Sequence, residues 1–398
     1  MGAVALGMKS LFLIFLSSFA LAADDPITAR AFDHFYNLEC DEAIDDFQKA
    51  VEAAPNDAER WNHLAQGILY RAMFRSGALE SELVSGNNTF FNRNRIATNE
   101  EDHRRFDEAI RRALELSSEA LAKNAQDPKA LWSNGITYAI RSNYNFLVRK
   151  AWRDSLRDAT TARLTHNRLS EIEPNLVDAK LLQGLHDYIV GSLPLTYKML
   201  GFLAGVHGDK EKGIKTLELV AQKGETSRWD AQVFLGATYR RERMPQKAIP
   251  LLEPLIQRYP RNYLFRFELV QMFADAGRKD DALKELDELE DLKRKNPPGY
   301  NRMDVAKIHY ARGNLLFWYR DYDGALLSLS QVTPRANQID PNTGMNAWLR
   351  TGQCYDMKGQ RAKAAQAFKQ AVAGAPDSDA GKEARKYLTS PYRRPANQ

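Results

Sequence analysis

The spacing of large and small apolar residues between Met345 and Ser378 restricts this chain to one kind of fold. Trp348, Gly352 and Tyr355 recur at intervals of four and three, so they share one face of a helix. Gly359 can end that helix in the left-handed conformation. A second helix follows with the inverse pattern of small, large and small residues, and it ends at a proline: Ala364, Phe368, Ala371 and Pro376. Two helices with these patterns interlock as a hairpin.

One hairpin of this size cannot bury its apolar face alone, so it needs copies. The same spacings recur elsewhere in the chain, for example at Ala31, Ala43, Phe47, Ala50 and Pro55, and again at Leu235, Gly236, Tyr239, Ala248 and Leu252. The pattern resembles the tetratricopeptide repeat (TPR), a helix-turn-helix unit of about 34 residues with a W-x2-L-G-x2-Y and A-x3-F signature. Thr351 is the main departure, at a position where leucine is usual. The resemblance implies an all-α, TPR-type α-solenoid, a right-handed superhelix of about eight helix pairs.

The N-terminus has the three parts of a secretory signal. Lys9 precedes an apolar run from Leu11 to Leu21, and Ala20-Leu21-Ala22 is a small-x-small cleavage site. A membrane span needs about 20 apolar residues, so this run is too short to be one. We expect a signal peptide at residues 1–22 and an exported protein, located in the periplasm or outside the cell.

The rest of the chain divides into a region of irregular repeats, a region of regular repeats and a C-terminal tail. We expect TPR-like repeats with insertions over residues 23–227, regular repeats and a capping helix over 228–389, and a flexible tail over 390–398. Within the first group, one long helix is expected from about residue 146 to residue 172. The insertion at 76–99 combines turn-forming Asn and Gly with large apolar residues. It either packs over the array as a flap or contacts a ligand.

Residues 193–206 are apolar and rich in glycine, and Lys198 is their one charged residue. One interpretation is a helix buried inside the array. The other is an exposed patch that contacts a lipid, a membrane or a partner helix. The candidate residues of that patch are Leu193, Leu195, Met199, Leu200 and Phe202.

The same region has a second resemblance. Residues 184–239 are similar to the Iml2-type TPR family through Ser192-Leu193-Pro194, Leu200-Gly201-Phe202, Gly208-Asp209 and Gly213. That family is linked in eukaryotes to the mitochondrial outer membrane and to lipid-droplet clearance. The secretory signal is a departure from the family's pattern.

The sequence contains no motif of a catalytic site. Metal-binding His-Glu-x-x-His, Cys-x-x-Cys, phosphate-binding and nucleophile-elbow motifs are absent, and the seven histidines are scattered. The two cysteines, Cys40 and Cys354, belong to opposite terminal repeats and are expected to be small buried side chains. A net charge of +5 is small for 398 residues and does not indicate nucleic-acid binding. We therefore expect no enzyme activity, no cofactor and no nucleic-acid partner.

The TPR resemblance implies a concave groove lined by the first helix of each pair. Its groove-facing positions lie one residue after the tryptophan-like and glycine-like sites. The candidates for contact with an extended or helical polypeptide are Asn62, Gln66, Gln271, Tyr310, Asn314 and Gln353. The amide side chains of Asn and Gln can both donate hydrogen bonds to a peptide backbone and accept them from it, and aromatic rings can pack against the peptide's side chains. The sequence thus favours a non-catalytic scaffold that binds another polypeptide. The alternative is a lipid- or membrane-associated TPR module using residues 193–206.

Overall fold

The computed structural model describes three stretches of the 398-residue chain, at residues 25–80, 95–193 and 207–394. These residues form two compact units. The N-terminal unit contains described residues 25–78, 95–193 and 207–260, and the C-terminal unit contains 79–80 and 261–394. The signal peptide predicted at residues 1–22 lies outside the described residues.

The N-terminal unit contains ten α-helices within its described residues. They are α1 (Pro26–Tyr36), α2 (Cys40–Ala53), α3 (Ala58–Arg75), α4 (Glu100–Lys123), α5 (Pro128–Tyr144), α6 (Trp152–Ile172), α7 (Leu181–Gly191), α8 (Lys210–Lys223), α9 (Arg228–Arg241) and α10 (Pro245–Arg258). Each helix packs against the next along the chain. A π-helical turn, Asn145–Arg149, follows α5, and a 3-10 turn, Val177–Lys180, precedes α7.

The C-terminal unit contains seven α-helices within its described residues. They are α11 (Tyr263–Asp275), α12 (Lys279–Lys295), α13 (Val305–Trp318), α14 (Tyr322–Leu329), α15 (Pro341–Met357), α16 (Arg361–Gly374) and α17 (Asp379–Thr389). A 3-10 turn, Thr333–Arg335, precedes α15. Consecutive helices again pack together, and α15 also contacts α13 and α17. The described helices make eight consecutive pairs and one terminal helix, which confirms the predicted all-α repeat fold.

Most pairs begin at a residue that caps the first helix. The side chains of Asp25, Asp57, Asp127, Asp304 and Asp340 each accept a hydrogen bond from a backbone N–H in the first turn of their helix. Those N–H groups have no partner inside a helix, and a carboxylate there also suits the positive end of the helix dipole.

The turn inside a pair has its own signature. In the five pairs whose helices are joined by three residues, that turn contains a residue with positive φ: Leu38, Arg243, Gly277, Arg320 and Gly359. A left-handed residue lets the chain reverse within a few residues of the helix end. Gly359, at φ 71°, confirms the sequence prediction for this position.

The core of the last pair is built as its sequence spacing predicts. Ala364, Phe368 and Ala371 have no exposed surface. The Phe368 ring lies against Gly352, where a Cβ atom would come within 2.4 Å of Phe368 Cε1. Glycine at position 352 therefore lets α15 and α16 approach closely enough to bury the ring. Trp348 and Tyr355 pack around this contact but are only partly buried.

We expect Gly352→Ala to destabilise the C-terminal unit by about 1–3 kcal/mol, because the buried ring cannot give way to the added methyl group. Gly236 is the matched control, since it occupies the equivalent position of another pair and a Cβ atom there would lie 3.8 Å from its nearest neighbour, Leu252 Cδ2. Gly236→Ala should stabilise its helix by up to about 1 kcal/mol. Amide hydrogen exchange of each unit measures both changes. Equal effects at the two positions would contradict this account of packing.

The long helix expected from residue 146 to residue 172 is interrupted. Lys150 has φ 57°, and α6 begins only at Trp152. The π-helical turn before this break brings Asn145 within reach of α6, where its Nδ2 donates to Asp158 Oδ2 at 3.0 Å. Arg141 of α5 also donates to the same buried carboxylate, at 2.7 and 2.8 Å. The break therefore lets the end of α5 form a polar contact with α6 that a continuous helix would not permit.

The chain beyond α17 is packed rather than free over its described residues. Tyr392 is 7% exposed, and its N–H donates to Asp356 Oδ2 at 2.7 Å. Arg394 donates to Trp318 O at 3.0 Å. The predicted tail at residues 390–398 thus makes these contacts over its described part, and its flexibility stays a prediction.

Candidate functional site

Two of the six predicted groove residues lie on α3 in the N-terminal unit, and both are buried. Asn62 donates from Nδ2 to Ser133 O at 2.9 Å and accepts from Thr137 Oγ1 at 2.8 Å. Gln66 lies one turn further along α3, and its Nε2 has no hydrogen-bond partner among the described residues. The Asn62 side chain thus joins α3 to α5 inside the unit.

Three more of the predicted groove residues are buried in the C-terminal unit: Tyr310 and Asn314 on α13, and Gln353 on α15. Gln353 accepts from Arg350 Nη1 at 2.7 Å and donates to Glu383 Oε1 at 3.4 Å. Burial raises the pKa of Tyr310 to about 12, so it is a neutral phenol at ordinary pH. These side chains face other helices, because α17 packs on α15 and α15 packs on α13.

Gln271, on α11, is the sixth of these residues and differs from the others. It is only partly buried, and its Nε2 donates to Asp275 Oδ1 at 2.8 Å near the surface. The side chain of Gln271 is therefore accessible to a partner, whereas the side chains of the other five residues are almost fully buried. A partner-binding role for all six stays a prediction.

The predicted apolar patch falls almost entirely outside the described residues. Leu193 follows α7 and is half-buried. Leu195, Met199, Leu200 and Phe202 belong to residues 194–206, which the structure does not describe. The choice between a buried helix and a lipid-binding patch therefore stays open.

The described ends of the insertion at 76–99 are packed. In the C-terminal unit, Lys307 Nζ donates to Glu80 Oε1 at 2.6 Å and to Asp340 Oδ2 at 3.0 Å. In the N-terminal unit, Ile96 is buried and its N–H donates to Leu147 O at 3.1 Å. These contacts favour the packed-flap interpretation for the two ends of the insertion. Residues 81–94 lie outside the described residues.

A cavity of about 530 Å³ lies in the N-terminal unit where α2, α3, α4 and α5 meet. Its walls are mostly small side chains, and its polar groups come from two inter-repeat loops, from Ser117 of α4 and from the first turns of α5. The lining residues are Ala53, Ala54, Pro55, Asn56, Asp57, Ala58, Leu116, Ser117, Ala120, Asp127, Lys129, Ala130 and Ser133. Sequence reasoning missed this cavity, although the similar loops before Asp57 and Asp127 were a usable signal.

Charged and polar groups of this cavity are held in fixed positions. Lys129 Nζ donates to Asp57 Oδ2 at 3.0 Å, and the Glu59 N–H donates to Asp57 Oδ1 at 3.0 Å. Burial raises the pKa of the Asp57 carboxyl group. The two donors together lower this pKa by more than burial raises it, so the pKa lies below its ordinary value. Ser133 is 1% exposed, and its Oγ has no hydrogen-bond partner among the described residues. The cavity thus offers an ion pair, and an unsatisfied hydroxyl is buried behind its wall.

Both cysteines and three of the histidines, His63, His166 and His186, are buried. Cys40 and Cys354 are free, and burial raises the pKa of each thiol to about 12, which confirms the prediction of buried cysteines. Burial lowers the pKa of His63 to about 3 and that of His166 to about 4. Within residues 25–80, 95–193 and 207–394, no group of three or more His, Cys, Asp or Glu side chains could hold a metal ion. No helix in these ranges is both long enough and apolar enough to cross a bilayer.

Two stretches of the chain match tetratricopeptide repeat families, at residues 239–303 and 346–378. Together with the eight helix pairs, these matches show that the chain contains tetratricopeptide repeats. Proteins of this class are typically non-catalytic scaffolds for protein interaction. Neither match covers residues 184–238, so the resemblance to the Iml2-type family stays a prediction. No curated protein gives a significant match.

Solved structures that match this chain include yeast Tom70, at 13% identity over 92% of this chain and 88% of that chain, with a TM-score of 0.37. The human IFIT1 dimer with PPP-AAAA matches at 14% identity over 90% of this chain and 97% of that chain, with a TM-score of 0.30. A monomeric IFIT1 mutant with Gppp-AAAA matches at 16% identity over 91% of this chain and 76% of that chain, with a TM-score of 0.31. These TM-scores are too low to support any argument about function.

Proposed function

We propose that this protein is a non-catalytic, exported scaffold that binds another polypeptide. The observation that carries the proposal is the cavity between α2, α3, α4 and α5, found in a protein built from tetratricopeptide repeats. The proposal of export, to the periplasm or the cell exterior, rests on the sequence of residues 1–22. Nucleic acid is not part of the proposal.

The chemistry of the cavity suits a short stretch of polypeptide. Its volume of about 530 Å³ lies in the range of ligand pockets in proteins, roughly 300–1,000 Å³. Alanine walls leave room for a partner's apolar side chain. The ion pair of Lys129 and Asp57 supplies one charge of each sign at the same place. A partner with a small apolar residue next to polar backbone groups would satisfy all of these features.

The predicted groove contributes to the proposal mainly through Gln271. Its amide is close enough to the surface to bond a backbone N–H or C=O of an extended partner. Alanine at Tyr310, Asn314 or Gln353 would instead disturb packing among α13, α15 and α17. A loss of binding in such variants could not be assigned to a lost contact.

The test is a binding experiment with the mature protein, residues 23–398, as bait in an extract of its own cell envelope. Wild-type bait should retain one dominant polypeptide. Ala120→Phe places a large ring at the cavity wall, so retention should fall about tenfold or more. Ala122→Phe is the matched control, because Ala122 is exposed on the same helix and does not line the cavity.

Three outcomes separate the possibilities. Loss of retention with Ala120→Phe alone supports the cavity as the binding site. Loss with Gln271→Ala, but with neither phenylalanine variant, moves the site to the groove. If wild-type bait retains no polypeptide above a denatured-bait control, the proposed function is wrong.

A further inference from the structure

Helix α6 carries an unusual amount of exposed apolar surface. Five large apolar side chains are notably exposed among the described residues, and three of them lie on this helix: Trp152 at 46%, Leu156 at 39% and Leu164 at 54%. A single exposed leucine is ordinary, but several on one element indicate a surface that contacts something. We refer to Trp152, Leu156 and Leu164 as the α6 stripe.

The geometry of a helix puts the α6 stripe on one side. At about 100° per residue, the three side chains fall within a sector of about 120°. The opposite side of α6 faces the interior, where Asp158, Ala162 and His166 are buried. Trp152 is fixed by an edge-to-face contact with Phe146, with the ring centroids 4.7 Å apart. The stripe thus places three exposed apolar side chains on one side of a helix whose other side is anchored in the unit, with Thr160 and Arg163 between Leu156 and Leu164.

The α6 stripe lies within a segment of the sequence that is rich in basic residues. Residues 149–168 contain six cationic side chains and two carboxylates, an excess of four positive charges. The whole 398-residue chain has a net charge of only +5. Three of the cations, Arg153, Arg157 and Arg168, are exposed, and by helical position they lie along one edge of the stripe.

One of the two carboxylates does not reduce this surface charge. Asp158 is 1% exposed and is held by Arg141, which lies outside the basic segment, at 2.7 and 2.8 Å. The other carboxylate, Asp154, accepts from Arg157 Nη2 at 2.8 Å near the surface. His166 is buried and uncharged, since burial lowers its pKa to about 4. Glu171, near the end of α6, is also exposed and by helical position lies on the same side as the stripe. With Arg153, Arg157 and Arg168 against Asp154 and Glu171, the exposed face of α6 is apolar and keeps a small excess of positive charge.

We propose that the exposed face of α6 binds an anionic membrane surface, with the α6 stripe at the level of the acyl-chain boundary and the arginines on lipid phosphates. This arrangement of Trp and Leu beside Arg is the one that lets a helix lie in the plane of a bilayer interface. Tryptophan favours that interface, and guanidinium groups bond phosphates in a bidentate manner. The proposal is independent of the polypeptide-binding function, and it uses a surface other than residues 193–206.

A lipid surface fits these observations better than an acidic polypeptide does. An acidic peptide would pair with the arginines, but it offers nothing to three large apolar side chains in the same sector. A bilayer provides phosphates and an apolar layer at adjacent depths, so both parts of the α6 face are satisfied together. Charge and apolar surface therefore point to the same occupant.

The experiment is flotation of the mature protein, residues 23–398, with two kinds of vesicle. One contains equal parts of phosphatidylglycerol and phosphatidylcholine, and the other contains phosphatidylcholine alone. Wild-type protein should float with the anionic vesicles, bind the neutral ones weakly, and lose affinity as salt rises. The double variant Leu156→Glu, Leu164→Glu should bind the anionic vesicles about tenfold less tightly or worse.

Two further variants make the result specific. Leu327→Glu introduces the same substitution at a leucine that is 71% exposed on α14, and its flotation should equal that of the wild type. Arg153→Gln with Arg157→Gln keeps the apolar stripe and should remove the preference for anionic over neutral vesicles. All altered positions are exposed, so circular dichroism should show unchanged helix content.

Several results would overturn the proposal. One is equal flotation of the wild type with both vesicle types, and another is an equal loss caused by Leu327→Glu. Retention on immobilised polyglutamate without any vesicle binding would identify an acidic polypeptide as the occupant. Flotation that survives the α6 variants but is lost with Leu200→Glu and Phe202→Glu would assign the membrane contact to residues 193–206.

Discussion

Replacing Phe368 with alanine is expected to lower the free energy of unfolding of the C-terminal unit by about 3–5 kcal/mol. Phe368 is fully buried on α16, between Gly352 of α15 and the ring of Tyr387 on α17, whose centroid is 5.4 Å away. The substitution thus removes the contacts that the Phe368 ring makes with both α15 and α17. The space is closed by backbone on the Gly352 side, so the surrounding structure cannot readily fill the cavity.

Amide hydrogen exchange is the measurement that localises this loss. In a repeat protein each pair mainly contacts its neighbours, so lost protection should concentrate in α15, α16 and α17. Leu327→Ala is the control, since Leu327 is 71% exposed and should change stability by no more than about 0.5 kcal/mol. A uniform loss of protection through both units would contradict the neighbour-by-neighbour description. Trp348→Ala should cost less than Phe368→Ala, because Trp348 is only partly buried.

Replacing Asp230 with asparagine is expected to stabilise the N-terminal unit at pH 8 by roughly 2–4 kcal/mol. Asp230 is 1% exposed on α9, and burial raises the pKa of its carboxyl group to about 7. Tyr36 Oη donates to its Oδ1 at 2.6 Å, and Oδ2 has no hydrogen-bond partner among the described residues. Asparagine keeps an oxygen for the Tyr36 hydroxyl and removes the buried charge.

The gain should depend on pH in a defined direction. The unfolded carboxyl group ionises near its ordinary pKa of 3.8, whereas the folded one stays protonated until about pH 7. The native state therefore binds the proton more tightly, and the contribution of Asp230 to stability falls as pH rises from about 4 to about 7. Asp230→Asn removes this pH-dependent loss of stability. The gain in free energy of unfolding over the wild type should therefore be small at pH 4 and reach its full value above pH 7.

Denaturant unfolding of the wild type and the variant across pH 4–8 measures this difference, with amide hydrogen exchange in the N-terminal unit as the readout. The comparison cancels the opposite contributions of His63 and His166, whose lowered pKa values make stability decrease toward acid pH in both proteins. Asp45→Asn is the control for the substitution itself, since it makes the same change at an exposed position on α2. A pH-independent gain from Asp230→Asn would show that the carboxyl group ionises normally in the folded protein.

The repeat fold was predictable because its determinants are local. Spacings of three and four residues fix which side of each helix is apolar, and the Asp residues before the helices and Gly359 between them mark where helices begin and end. The interlock of Gly352 with Phe368 joins residues of a single hairpin. Each of these signals lies within one repeat length, so periodicity is enough to find it.

The candidate site was less predictable because its determinants lie in different repeats. Asn62 occupies a position expected to face a groove, but it bonds Ser133 on the neighbouring pair. Gln353 likewise occupies such a position, and α17 covers it. Whether a repeat position faces solvent depends on what the next helix places over it, and a single repeat's pattern does not contain that information. The cavity beside Ser133 was missed for the same reason.

The pairing of Tyr36 with Asp230 has a consequence for how the chain acquires its structure. The two residues are 194 positions apart, yet they belong to the same unit, where the Tyr36 ring also stacks on Tyr259 with centroids 4.6 Å apart. At a synthesis rate of about 5–20 residues per second, α1 leaves the ribosome roughly 10–40 s before its partner on α9 is made. Throughout that interval the first helix lacks the contacts that bury Tyr36. The N-terminal unit therefore becomes complete only late in translation, and its nascent chain has an extended period in which chaperones or an export machinery can engage it.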